Sequence, residues 1–136
     1  MREETGGGKL RTINFDPQFI DLVKSGRKTQ TRRPIKPLKD KCSISGYFDC
    51  RYGVPGEILK VNNTDVCIRI ESIRVELLHD ISEESAINEG VERGIFEKFS
   101  TAFLYLLDGI YKNTQYKAGV NPWVWVIEFK KLEVDG

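Results

Sequence analysis

No stretch of this chain is apolar for long enough to cross a bilayer. The longest apolar runs are Ala102–Leu107 and Trp123–Ile127, against the roughly 20 residues that a spanning helix requires. The N-terminus lacks the apolar centre of a signal peptide and carries Glu3, Glu4 and Gly6-Gly7-Gly8 instead. The expectation is a cytoplasmic protein without a membrane partner. Cysteine is sparse, three residues in all, with no Cys-x-x-Cys spacing. Reduced thiols are therefore expected rather than a disulfide framework. Cys42, Cys50, Cys67 and the lone His79 could supply four metal-ligand side chains by count. Their spacings fit no zinc pattern, and Cys67 falls mid-strand among apolar residues, so no metal is expected. Internal repeats and low-complexity segments are absent as well.

What remains is an ordinary globular composition, 40% hydrophobic and 30% charged over 136 residues. That length suits one domain with a single core. Residues 1–9 read as a flexible tail, and residues 10–136 as the domain. The net charge of +1 hides an asymmetry. Lys24 to Lys41 holds eight basic residues and one acid, a net of +7, and Glu71 to Glu97 holds eight acids and two arginines, a net of −6. Most of these side chains suit solvated surface, but a basic site wall facing an acidic one is the sharper reading.

Leu10 to Asn14 reads as a short strand. Asp16 then offers a helix cap, Pro17 suits the first helical position, and Phe15 and Ile20 have staple spacing. Phe19, Ile20 and Val23 form the apolar stripe, and Gly26 predicts a left-handed stop. Strand character follows over Thr29 to Arg33, ended by Pro34 and Pro37. Residues 34–56 read as a long irregular loop, and loops of that length are usually functional or mobile. Glu57 to Val61 predicts a strand, and Asp65 to Glu76 a longer one. Its apolar parity flips between Ile70 and Ile73, so a bulge is expected near Glu71-Ser72. Ser82 caps a second helix that ends near Gly90, and Glu83 and Glu84 suit its positive end. Phe99, Ala102, Phe103, Leu106, Leu107 and Ile110 share one face of a third helix, about Glu97 to Ile110. Trp123 to Lys131 is the closing strand, with both faces at least partly covered. These elements predict an α+β fold with a small curled or barrel-like sheet.

The densest chemistry lies in Gly26-Arg27-Lys28-Thr29-Gln30-Thr31-Arg32-Arg33. The run resembles the signature of ASCH domains, Gly-x-Lys-x-x-Glu-x-Arg, in the PUA-like superfamily. Gly26, Lys28 and Arg33 match it. Thr31 takes the glutamate position, as in the small bacterial ASCH enzymes that deacetylate N4-acetylcytidine. The segment Asp80 to Gly90 resembles the helix that follows the central strands there. Asn121 to Phe129 resembles the closing strand, especially of phage and prophage members. The resemblance implies a small PUA-like β-barrel of five to six strands with three flanking helices. It also implies a metal- and cofactor-free amidohydrolase acting on an acylated nucleoside or base, with catalytic Lys28, Thr31 and Glu89. Arg33, Arg32, Arg27 and Gly26 would bind substrate, and Arg33 could anchor a carbonyl or phosphate oxygen through its planar fork.

Without the resemblance, Lys28 and Thr31 suit an exposed basic edge strand, and Glu89 suits a solvated helix residue. On a regular strand Lys28 and Thr31 would point to opposite faces, so they can meet only if Lys28 lies in the turn after Gly26. Should Glu89 lie elsewhere, Glu71 or Glu57 is the next candidate acid. Tyr47, Phe48, Tyr52 and Trp123 could stack on a base, although packing is the plainer role. The alternative function is an RNA-binding PUA-like module without catalysis. The balanced total charge disfavours it, because dedicated RNA binders are usually basic overall.

Overall fold

In the computed structural model, residues 10–36, 41–42 and 48–133 are described. The tail expected over residues 1–9 lies outside them, as do residues 37–40 and 43–47 of the long loop. Along the chain come β1 (Thr12–Ile13), α1 (Pro17–Lys24), β2 (Gln30–Pro34), β3 (Lys41–Cys42), β4 (Phe48–Asp49), β5 (Ile58–Val61) and β6 (Cys67–Leu77). Then follow α2 (Glu83–Asn88), α3 (Phe99–Ile110) and β7 (Trp123–Lys131).

Five strands form one mixed sheet in the order β1-β5-β6-β7-β2, with β1 parallel to β5 and the other pairs antiparallel. β3 and β4 make a separate two-stranded ribbon within the expected loop. Three helices accompany the sheet, so the α+β expectation is met. The expected closed barrel becomes an open sheet among the described residues, with β1 and β2 as its two edges.

Local chemistry explains the element ends. Asp16 accepts from the Gln18 amide ahead of Pro17, as a capping aspartate should. Ser82 Oγ accepts from the Ser85 amide at 3.0 Å and starts α2. Glu83 and Glu84 stand in the first turn of α2, as expected, and Glu83 also serves the next helix. Its two carboxylate oxygens accept from the amides of Phe99 and Ser100 at 2.7 and 3.0 Å. It therefore caps α3, whose preceding residue Lys98 has no side-chain cap bond. In β6 the register slips between Ile70 and Ser72, the bulge expected from the parity flip. The slip keeps Ile73 and Val75 packed on the same core as Ile68 and Ile70.

β7 is the spine of the core. Trp125, Ile127 and Phe129 pack into one cluster with Phe15, Phe19, Val23 and the β5 and β6 residues. Val124 and Val126, on the opposite face, join a second cluster with Ala86, Phe103 and Leu107 from α2 and α3. Both faces of β7 are therefore buried. Its neighbour β2 is an edge strand, yet it too is covered. Gln30, Thr31, Arg32 and Pro34 are all buried. Pro34 is the last residue of β2, a position that an edge strand tolerates. Among the described residues no helix is long and apolar enough to cross a membrane.

Candidate active site

Lys28 is not part of β2. Gly26, at φ +81°, turns the chain out of α1, and the amides of Arg27 and Lys28 both donate to the Leu22 carbonyl at 3.0 Å. The Thr29 amide then donates to the Asn88 carbonyl at 2.8 Å, which ties this turn to the end of α2. Glu89 follows directly. Gly90, at φ +92°, makes the close approach possible, since a Cβ there would lie 3.2 Å from Lys28 Cβ and from a Leu22 methyl. Two glycine turns thus bring Lys28 and Glu89 together across 61 residues of sequence.

The contact is direct. Lys28 Nζ donates to Glu89 Oε1 at 2.8 Å and to the Glu89 carbonyl at 2.9 Å, with both side chains 2% exposed. The Phe19 ring lies 4.6 Å from the same nitrogen. Burial holds the Lys28 ammonium below its ordinary range; Glu89 opposes that shift, while Arg33 and Arg32 add to it. Arg32 Nη1 donates to Glu89 Oε2 at 3.1 Å and to Gln30 Oε1 at 2.6 Å, and its Nη2 donates to Glu76 Oε1 at 3.0 Å.

Thr31 and Arg33 share the other face of β2, paired with Ile127 and Trp125 of β7. Arg33 Nε donates to Thr31 Oγ1 at 3.0 Å. Its guanidinium sits 5.0 Å from the Phe15 ring and 5.2 Å from the Tyr52 ring, so two aromatic groups fix its position. A cavity of about 290 Å³ wraps the edge strand and is lined from both faces. Its walls include Lys28, Thr31, Arg32, Arg33, Glu89 and Tyr111. Phe15, Phe19 and Phe103 supply apolar wall. Burial pushes the Tyr111 phenol up, against the opposing charge of Arg33.

Of the residues expected at the site, Lys28, Thr31, Glu89, Arg32 and Arg33 therefore meet at one cavity. Gly26 and Arg27 do not line it. Gly26 shapes the turn, and Arg27 pairs with Glu92 at 2.8 Å on the surface. The other candidate acids are also on the surface, Glu57 with Arg11 at 3.0 Å and Glu71 with Arg69 at 2.8 Å. Among the expected stacking residues, Tyr52 supports Arg33, whereas Trp123 is 56% exposed beside a separate cleft with Tyr116 and Pro122. Tyr47 lies outside the described residues, as does the side chain of Phe48. Among the described residues no three His, Cys, Asp or Glu side chains gather closely enough to hold a metal ion.

Sequence reasoning missed Tyr111, Glu76 and Gln30. Tyr111 stands four residues beyond Leu107, one turn further along the apolar face of α3, and that spacing is the signal that could have found it. Gln30 sat within the quoted motif. Nothing local distinguishes Glu76 from the other acids near it.

Comparison with solved structures gives the fold its class, which is ASCH-like. The ASCH domain from Lactobacillus crispatus JV V101 superposes with a TM-score of 0.55 and 16% identity, covering 82% of this chain and 68% of that one. A protein from Enterococcus faecalis V583 superposes at 0.61 with 13% identity, over 92% of this chain and 82% of its own. A solution structure from Pyrococcus furiosus gives 0.54 and 18% identity, over 91% and 98%. No protein-family model and no curated protein sequence matches the chain.

Proposed function

We propose that this protein is a small amidohydrolase that removes an acyl group from an N4-acylated cytidine or a related nucleoside. The observation that carries the proposal is the buried Lys28–Glu89 pair opening on the same cavity as Thr31. Burial favours the uncharged form of Lys28, which is what a lysine base requires. A neutral amine donates two N–H groups and keeps one lone pair. The two acceptors provided by Glu89, its carbonyl and Oε1, match those two donors. In the proposal the remaining lone pair takes the proton of Thr31, which lines the same cavity.

In this mechanism Thr31 Oγ attacks the acyl carbon, and its proton passes to Lys28. The carbon–nitrogen bond breaks, the amine nitrogen takes that proton, and the acyl group remains as an ester on Thr31. Water then hydrolyses the ester, with Glu89 as the group that orients or activates it. Arg33, held beside Thr31, is placed to stabilise the oxyanion. Phe15, Phe19 and Tyr111 offer aromatic walls to a base. At about 290 Å³ the cavity suits a small ligand at the low end of the usual range, roughly 300–1,000 Å³. The substrate class itself rests on the motif resemblance.

The alternative of a PUA-like RNA-binding module draws less support. Of its motif cations, Lys28 and Arg32 are buried against acids of the 71–97 segment, Arg27 pairs with Glu92 on the surface, and Arg33 faces the cavity. The test is incubation with a series of N4-acylcytidines of increasing acyl length, followed by separation of free cytidine. Release with the shorter acyl groups is expected. Absence of release across the series would overturn the proposal.

A further inference from the structure

A lysine that must accept a proton is poorly served by a carboxylate 2.8 Å away, because the carboxylate favours the charged amine. Arg32 alters that balance. Its side chain is fully buried, and it reaches Glu89 through the second carboxylate oxygen, leaving Oε1 to Lys28. Building on the hydrolase reading above, we propose that Arg32 is a positioning residue that neutralises Glu89, so that Lys28 can serve as the uncharged proton acceptor.

Glu89 stands between two fully buried cations. Among the described residues, the buried side chains of Lys, Arg, Asp or Glu type are Lys28, Arg32 and Glu89, two cations and one carboxylate. Arg32 has a second carboxylate, the part-buried Glu76, on its outer side. A guanidinium cannot give up its proton near neutral pH, whereas a buried amine can. Arg33 at the same cavity adds a further positive charge acting on Lys28. Asp16 and Tyr111 complete the titratable lining of the cavity. Beyond Arg32 the network runs outward to the half-exposed Glu76, which also accepts from Arg74 Nε at 2.7 Å, and Arg74 reaches Glu128. Arg74 is thus shared between Glu76 and Glu128, and Glu76 between Arg74 and Arg32.

Stability alone does not account for this arrangement. Buried ion pairs and triads are often replaced by apolar residues without loss. Arg32 Nε, moreover, has no hydrogen-bond partner among the described residues, which is a cost in a buried site. Its fork is instead aligned by Gln30 and Glu76 so that one Nη1 bond meets Glu89.

The test follows the Lys28 titration by NMR of its labelled side chain in the wild type, in Arg32→Met and in Arg32→Lys, each checked for folding by thermal melt. The Lys28 midpoint should rise by about one pH unit or more in Arg32→Met. It should rise less in Arg32→Lys, which keeps a charge but not the planar fork. The acid limb of the pH–rate profile should move with it, and activity should recover at alkaline pH. Should Arg32→Met fail to fold, Arg32→Lys decides. An unmoved Lys28 midpoint in a folded variant overturns the proposal, as does a rate that falls equally at every pH. Failure of the hydrolase reading would be seen separately, since the titration needs no substrate.

Discussion

In the proposed mechanism Lys28, Thr31 and Glu89 carry the chemistry, and each can be changed alone. Lys28→Arg keeps the positive charge but cannot act as a base, so turnover should fall by about 10²–10⁴-fold. If the variant keeps most of its rate, Lys28 is an electrostatic stabiliser and water activated by Glu89 becomes the better mechanism. Thr31→Ser should retain part of the activity that Thr31→Val loses. Glu89→Gln leaves Lys28 without its counter-charge and Arg32 with Glu76 alone, and it should cost about 3–5 kcal/mol in urea denaturation. Lys28 also leaves a mark on stability against pH. Its folded-state value is depressed by burial, so between that value and the ordinary 10.5 the unfolded chain binds more protons. The contribution of Lys28 to stability therefore increases as pH rises through this window and is lost as pH falls. Denaturation of the wild type and Lys28→Met across roughly pH 7–10 should show their difference growing in favour of the wild type. A flat difference would argue against a depressed amine.

At the scale of elements, two glycine turns at the ends of α1 and α2 place the pair. They should respond differently to alanine. Gly26 has φ +81° and open space where an added Cβ would point, so Gly26→Ala should cost only the left-handed strain, about 1–2 kcal/mol. Gly90→Ala adds contacts at 3.2 Å with Lys28 and Leu22. It should cost more stability and also lower turnover, because it pushes directly on Lys28. Equal effects of the two substitutions would contradict this. Much of this layer was legible in the sequence. Asp16 and Ser82 announced their helices, and the parity of Ile70 and Ile73 announced the bulge, because caps and strand alternation are local signals. Gly26 likewise removed the objection that Lys28 and Thr31 must face apart. The capping of α3 by Glu83 was not legible, since it depends on how α2 and α3 pack. Nor was the position of β2. Its partner β7 lies far along the chain, with Thr31 opposite Ile127, and no local pattern says that an edge strand has both faces covered.

Across the whole molecule, the basic and acidic segments read from the sequence meet. Arg27 with Glu92 on the surface, and Lys28 with Glu89 and Arg32 with Glu76 and Glu89 inside, join the two, so part of the charge asymmetry is spent between them. The buried members of this set are shielded from salt far more than an exposed phosphate contact would be. Hydrolysis of a nucleoside should therefore change little between about 50 and 500 mM salt, a span chosen because phosphate-dominated binding falls by orders of magnitude over about 50–200 mM. A steep decline in activity would point to an RNA substrate. The combination of a small sheet with three helices was foreseen from the order of the elements. The open sheet in place of a barrel was not, because closure depends on strand tilt and stagger that a single sequence does not reveal. The most direct measurement of the central claim is the rate of N4-acetylcytidine hydrolysis by the wild type and by Thr31→Val under identical conditions. The account predicts cytidine release by the wild type and a loss of roughly 10³-fold or more in the variant. Equal rates in the two proteins would contradict it.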